Sequence, residues 1–257
     1  MRHNLMLLLF ILFFASCATK QVSHVEVVNL DEETSNDIVL DHGYFKIVYN
    51  QKERIARYVS YDLKKEHLFA KEAKRKDKFI ADPILVNKKI PYVSGDEYEK
   101  SGYDRGHLAP SADFAWDQKA NDLTFVMSNM APQKPNLNRG PWKRLEDKIR
   151  RWACGEEHVK VITGVILEGN EKRLASGLII PNQFYKIVID ETPPKKSLTF
   201  IYNQADRGDV LEQRIVETKR VESLSGIAFS KIYPDLDEKG KRVPASTKEW
   251  KEKDCSK

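Results

Sequence analysis

Nine consecutive residues, Val159-Lys160-Val161-Ile162-Thr163-Gly164-Val165-Ile166-Leu167, are almost entirely apolar or β-branched. A strand covered on both faces reads this way, because its alternating side chains then enter core on either side. The run predicts a central strand, and therefore a layered domain whose other segments must cover both faces. Partners are available. Tyr44–Tyr49 and Ile55–Tyr61 are rich in aromatic and β-branched residues and flank Asn50-Gln51-Lys52-Glu53, which reads as a hairpin. Further strands are expected at Leu123–Met127, Phe184–Asp190 and Leu198–Tyr202. With 41% hydrophobic and 32% charged residues, the chain has enough apolar material for a substantial core.

One helix stands out. Pro141 suits a first helical position, and Trp142, Leu145, Ile149 and Trp152 recur at helical spacing to make one apolar face. Lys143, Arg144, Lys148 and Arg151 fall outside that stripe, and the helix is expected to end near Gly155. No repeat or internal linker divides the chain after residue 43, so one mixed α/β domain over 43–257 is expected, with a charged, peripheral C-terminal tail.

The N-terminal region is different in kind. A weakly basic start, an apolar run from Leu5 to Phe14 and the small residues Ala15-Ser16-Cys17-Ala18 have the layout of an export signal, too short to span a bilayer. Phe14-Ala15-Ser16-Cys17 resembles a lipobox, which would leave Cys17 as a lipidated N-terminus. Cleavage after Ala18 is the alternative. Residues 1–17 are therefore read as a signal peptide and 18–42 as a polar tether. An exported chain enters an oxidising space, where Cys154 and Cys255 stand either as a disulfide or as two thiols. The expected location is periplasmic or anchored to the outer membrane, with secretion as the alternative.

Three segments carry chemistry: Tyr103-Asp104-Arg105-Gly106-His107, Ser128-Asn129-Met130-Ala131-Pro132-Gln133, and Asn138-Arg139-Gly140-Pro141-Trp142-Lys143-Arg144-Leu145-Glu146. Cutting a phosphodiester needs a base for water, a cation for the departing oxygen and a clamp for the phosphate. Imidazole titrates near neutrality, a divalent cation is a Lewis acid, and arginine pairs with phosphate oxygens. These segments supply His107, Arg105 and oxygen ligands. Magnesium takes oxygen ligands, and Asn138 offers a neutral one. If helical geometry reached back to Asn138, Glu146, eight positions on, would project to a similar side. Glu146 also stands four residues before Arg150, a pairing distance on a helix. On residue types alone a structural turn at Asp104–Gly106 and a surface Glu146 remain open. The net charge of +5, with pI near 8.9, suits a polyanionic partner but does not single one out.

Together these segments resemble the signature of the nonspecific DNA/RNA endonuclease family with a ββα-metal active site: Asp-Arg-Gly-His, then Ser-Asn-x-x-Pro-Gln, then Asn-x-x-x-Trp-x-x-x-Glu. The match is dense from Tyr103 to Glu146. The resemblance implies an α+β fold with a mixed, mainly antiparallel central sheet flanked by helices. It implies His107 as general base, Asn138 as ligand of Mg2+ (with Mn2+ as a substitute), and Glu146 orienting metal-bound water. Arg105 would contact phosphate or support the site, Asp104 would orient its neighbours, and Asn129 and Gln133 would shape the site. Phe79-Ile80-Ala81-Asp82-Pro83 matches a further family element, which makes Arg75 the phosphate-stabilising candidate, with Lys76 or Lys78 as substitutes. The basic stretch 71–78 would then lie along DNA or RNA, through phosphate contacts that carry little sequence information, and Arg150 would either contact the nucleic acid or shape the site. The resemblance also implies 5′-phosphate products. A catalytically silent nucleic-acid-binding lipoprotein, or a phosphodiesterase for small substrates, are the competing readings.

Overall fold

The computed structural model describes residues 36–193, 195–208, 210–233 and 246–255. The expected signal segment, Cys17 and residues 18–35 of the expected tether lie outside the described residues. Among the described residues, strands β1 (Asp37–Asp41), β2 (Lys46–Asn50), β3 (Ile55–Lys64), β6 (His158–Ile166), β7 (Gln183–Asp190), β8 (Lys196–Asn203) and β9 (Ile215–Val216) form one sheet. Their order is β1-β2-β3-β6-β7-β8-β9, with every pair antiparallel. Two short strands, β4 (Asp104–His107) and β5 (Met130–Gln133), pair antiparallel in a separate ribbon.

The apolar run occupies β6, in the middle of the large sheet. Val159, Val161 and Val165 enter the larger core, where α5 (Lys143–Glu156) contributes Leu145, Ile149 and Trp152. Ile162 and Ile166 enter a second core on the other face. There α6 (Thr218–Ser225) supplies Val221 and α7 (Phe229–Ile232) supplies Phe229. The remaining helices are also short: α1 (Lys65–Phe69), α2 (Pro83–Lys88), α3 (Gln118–Leu123) and the single turn α4 (Pro135–Leu137). No described helix is long and apolar enough to cross a membrane.

Four expectations need correction. The end of the expected tether is structured: Asp37–Asp41 pairs residue for residue with β2 as the sheet's edge strand, and Leu40 is fully buried. The acidic residues before it hid a strand only five residues long. Leu123–Met127 is not a strand. Leu123 ends α3, and only Val126 makes a single parallel bridge, to Ile80. Phe125, Val126 and Met127 are apolar because each is buried in loop packing. Helical geometry does not run unbroken from Asn138 either. The chain kinks within Asn138–Trp142, where Gly140 leaves the helical region, at φ −105° and ψ −115°. Pro141 is the cause, since a proline ring crowds the preceding residue out of the α conformation. The tail, finally, is docked. Trp250 packs on Trp152 with ring centroids 5.2 Å apart, and a Cβ on Gly155 would lie 2.1 Å from the carbonyl oxygen of Lys251. A Cys154–Cys255 disulfide ties this segment to α5 across 101 residues.

The apolar face of α5 holds the site helix on the sheet. Ile149 is 1% exposed at the centre of that contact. Ile149→Ala should lower unfolding stability by about 2–5 kcal/mol, read by urea denaturation of the purified protein. A loss under half a kilocalorie would show that α5 is held by something else.

Candidate active site

The chain runs from the β4–β5 ribbon through α4 and the Asn138–Trp142 turn into α5, giving two antiparallel strands followed by a helix. The first two sequence segments face each other in the ribbon: Asp104 opposes Gln133, Arg105 Pro132, Gly106 Ala131 and His107 Met130. Gly106 is required by close approach. A Cβ there would sit 2.6 Å from Gln133 Oε1 and 3.1 Å from the Ala131 carbonyl oxygen.

His107 ends β4 between two aromatic rings. Phe125 meets it edge-on at 5.0 Å and Phe79 at 5.9 Å. Its Nε2 is enclosed and has no hydrogen-bond partner. Burial, reinforced by the nearby positive charge of Arg75 and opposed by Asp77, lowers its pKa from 6.5 to about 3. The backbone beyond His107 is clamped by Asn129. Its carbonyl accepts from Leu108 N, its Oδ1 accepts from Ala109 N at 2.9 Å, and its Nδ2 donates to the carbonyls of Ala109 and Thr124. The neighbouring Ser128 hydroxyl donates to Asp82, a fully buried carboxylate that also meets His42 Nε2 at 3.0 Å and caps α2 through Ile84 N. The Ser-Asn pair and the Phe-x-x-Asp-Pro element are thus joined by one hydrogen bond.

Asp104 gathers three donors: Asn138 Nδ2 at 2.9 Å, Arg139 Nε at 2.9 Å and the Arg139 terminal nitrogen at 2.6 Å. A carboxylate only accepts, so Asn138 must present its NH2 to Asp104. Its amide oxygen is thereby turned the other way, as a ligand oxygen must be. The donor set fits a hard divalent cation, which takes neutral oxygens and keeps water around it.

The orientation of Glu146 has another source. It is nearly buried, with Oε1 4.0 Å from Lys186 Nζ. Burial pushes its carboxyl above the ordinary carboxylate range, against the opposing pull of Lys186 and Arg150. The expected pairing of Glu146 with Arg150 is replaced. Arg150 donates to Asp113 Oδ1 at 2.6 Å and to Asp147, and Asp113 accepts from the Tyr61 hydroxyl at 2.7 Å. Arg150 therefore belongs to a partly buried charge network, an arrangement that suits the site-shaping alternative over an open phosphate contact.

The other expected residues divide. Arg105 donates to the Gly95 carbonyl at 2.6 Å, lies over the rings of Phe79 and Tyr98, and has a buried Nε without a partner. Arg75 lies over the Phe125 ring at 5.1 Å and pairs with Asp77, on the exposed stretch that adjoins His107. Lys76 turns to Asp122 at 2.7 Å, and Lys78 is exposed. Gln133 is 1% exposed, with neither side-chain polar atom partnered. Reading the sequence missed Lys186, Asp113 and Tyr61, and named Asp82 only as part of the Phe-x-x-Asp-Pro element. The available signal for Lys186 was a lysine on the core-facing alternation of Phe184 and Val188.

Among the described residues, Asp62, His158 and Glu191 form a second grouping, with ligand atoms within 4.8 Å of one another. It includes none of the expected site residues. Lys160 Nζ already lies 3.0 Å from the Asp62 oxygen that meets His158, so a cation there would face a positive charge.

Residues 25–236 match the family described as DNA/RNA non-specific endonuclease. Human mitochondrial endonuclease G is 30% identical over 200 residues, covering 72% of this chain and 67% of that protein. A nuclease of Nostoc sp. is 29% identical over 216 residues, covering 79% and 77%. A crystal structure of an EndoG/EndoGI complex superposes with a TM-score of 0.68 at 26% identity, covering 76% of this chain and 86% of that one.

The depressed pKa of His107 has a measurable sign. Between pH 6.5 and about 3 the unfolded chain binds a proton that the folded chain does not, so this ring's contribution to stability is lost as the pH falls through that window. Nitrogen-15 NMR of the metal-free protein should show a neutral His107 ring at pH 5. A titration midpoint near 6.5 would contradict the enclosure described.

Proposed function

The chain belongs to the DNA/RNA non-specific endonuclease family, and from that premise we propose that it hydrolyses phosphodiester bonds of DNA and RNA with His107 as general base and Asn138 as ligand of one Mg2+ or Mn2+. The observation that carries this reading is the Asp104–Asn138 hydrogen bond, which leaves the amide oxygen for a ligand and ties the turn before α5 to the strand that ends in His107. His107, held neutral, accepts a proton from water. The resulting hydroxide adds to phosphorus, the P–O3′ bond breaks, and the departing oxygen takes a proton from solvent, leaving a 5′-phosphate. An anionic phosphate beside the ring favours the protonated form and offsets part of the effect of burial. A divalent cation held through Asn138 would supply Lewis-acid stabilisation of the departing oxygen.

Asp104 keeps Asn138 in orientation, and Glu146 fixes water near the start of α5. Arg75, carried on the exposed stretch beside His107, is the group that would exchange its Asp77 partner for a phosphate. Arg105 supports His107 through the Phe79 ring that both contact. Lys76 and Lys78 offer backbone contacts to the nucleic acid, which predicts weak sequence preference and binding that falls with salt. The apolar Leu5–Phe14 run and Cys17, together with the Cys154–Cys255 bridge, support export with a lipid anchor at Cys17.

Plasmid nicking with purified protein tests this. Cleavage should require Mg2+ or Mn2+, stop with chelator and be abolished in His107→Ala. Binding without cleavage across divalent ions would favour the silent binder, and hydrolysis confined to dinucleotide esters would favour the small-substrate reading. Asp104→Asn leaves the Asn138 amide free to flip. It should raise the half-saturating Mg2+ concentration by about 10- to 100-fold. An unchanged metal requirement in that variant would remove the orienting role of Asp104, and an unchanged requirement in Asn138→Ala would remove Asn138 as the ligand.

A further inference from the structure

Lys186 lies in β7 with its side chain fully buried between the sheet and α5. Its Nζ donates to Thr163 Oγ1 at 2.8 Å, approaches the Leu108 carbonyl oxygen at 3.5 Å and sits 4.7 Å from the centre of the Trp142 ring. Glu146 Oε1 is 4.0 Å away. Leu108 directly follows His107. Trp142 and Glu146 stand one turn apart where the Asn138 turn enters α5. One ammonium group therefore touches both segments that carry the proposed chemistry. An ammonium is an expensive choice for this place. Well-packed apolar residues in place of buried ion pairs are often as stable or more so, and Phe184 and Val188 fill the positions on either side.

We propose that Lys186 is a positioning residue for phosphodiester cleavage, holding the Glu146 carboxylate and the backbone after His107 in fixed relation. The proposal rests on the reading of His107 and Asn138 given above. Lys186 touches no substrate atom and acts through the two groups it holds.

Kinetics on plasmid DNA with Mg2+, using the full chain, tests it. Lys186→Met conserves length and removes the charge. It should lower kcat by about 10- to 100-fold and leave KM unchanged, while the melting temperature falls because Glu146 loses its buried partner. Glu146→Gln should lower kcat as well, and the double variant should lose less than the product of the two losses, because both act through one carboxylate. Thr163→Val removes one hydrogen bond from Lys186 and should lower kcat in the same direction by a smaller factor. Wild-type kcat in Lys186→Met overturns the proposal. So do kcat losses that multiply in the double variant, since independent effects are the mark of a lysine that does not act through Glu146. Should Lys186→Met not fold, Thr163→Val decides, and wild-type kcat there overturns the proposal. His107→Ala separates the two levels. If it still cleaves, the reading of the site fails. If it is dead while Lys186→Met is fully active, only the role of Lys186 fails.

Discussion

The carboxylate of Asp104 can accept hydrogen bonds and cannot donate them, and the arrangement of the site follows from that restriction. It decides which end of the Asn138 amide faces inward and which is left for a ligand. It also draws Arg139 across the ribbon, so the turn before α5 is tied to β4 at two points. This tie matters because Gly140 interrupts the helix. Without an unbroken helix between Asn138 and Glu146, their relation cannot come from helical periodicity. It comes from two separate supports, Asp104 for one and Lys186 for the other.

Beneath that surface lies an unusual concentration of buried charge. Glu146, Lys186, Arg150 and Asp113, with the Tyr61 hydroxyl, share one region between α5, β7 and β3. Burial acts on Glu146 and Lys186 in opposite directions, raising the carboxyl and lowering the ammonium, and each partly offsets the effect on the other. Networks of this kind contribute little net stability, although removing one member typically costs about 3–5 kcal/mol. Their presence against the β4–β5 ribbon is better explained by the geometry they impose. Asn129 does the same with neutral groups, since all its hydrogen bonds are spent on the backbone around His107.

Much of this was legible from residue order. The β6 run and the α5 stripe marked the two faces that meet in the larger core, and the β2–β3 hairpin followed from composition. The three short segments named the residues that the ribbon and helix bring together. The failures have physical causes. Phe125 to Met127 looked like a strand because loop burial and strand burial both select apolar residues. The strand at 37–41 was hidden because its apolar stretch is only Ile38, Val39 and Leu40, set between acidic residues, and only Leu40 is fully buried. Arg150 was assigned to Glu146 because spacing along a helix cannot reveal a competing carboxylate, Asp113, from another segment.

Periodicity and covalent chemistry are local, so the sequence alone determined the central strand, the amphipathic helix, the proline that breaks the Asn138 turn, and the presence of an imidazole, an amide and a carboxylate suited to phosphodiester chemistry. Which way each of those groups points is not local. The Asn138 amide is oriented by a residue 34 positions earlier, Glu146 by one 40 positions later, and the enclosure of His107 by Phe79 and Phe125 from different loops. Only the tertiary structure could decide these, because hydrogen-bond direction and loss of water depend on what the fold packs beside a group.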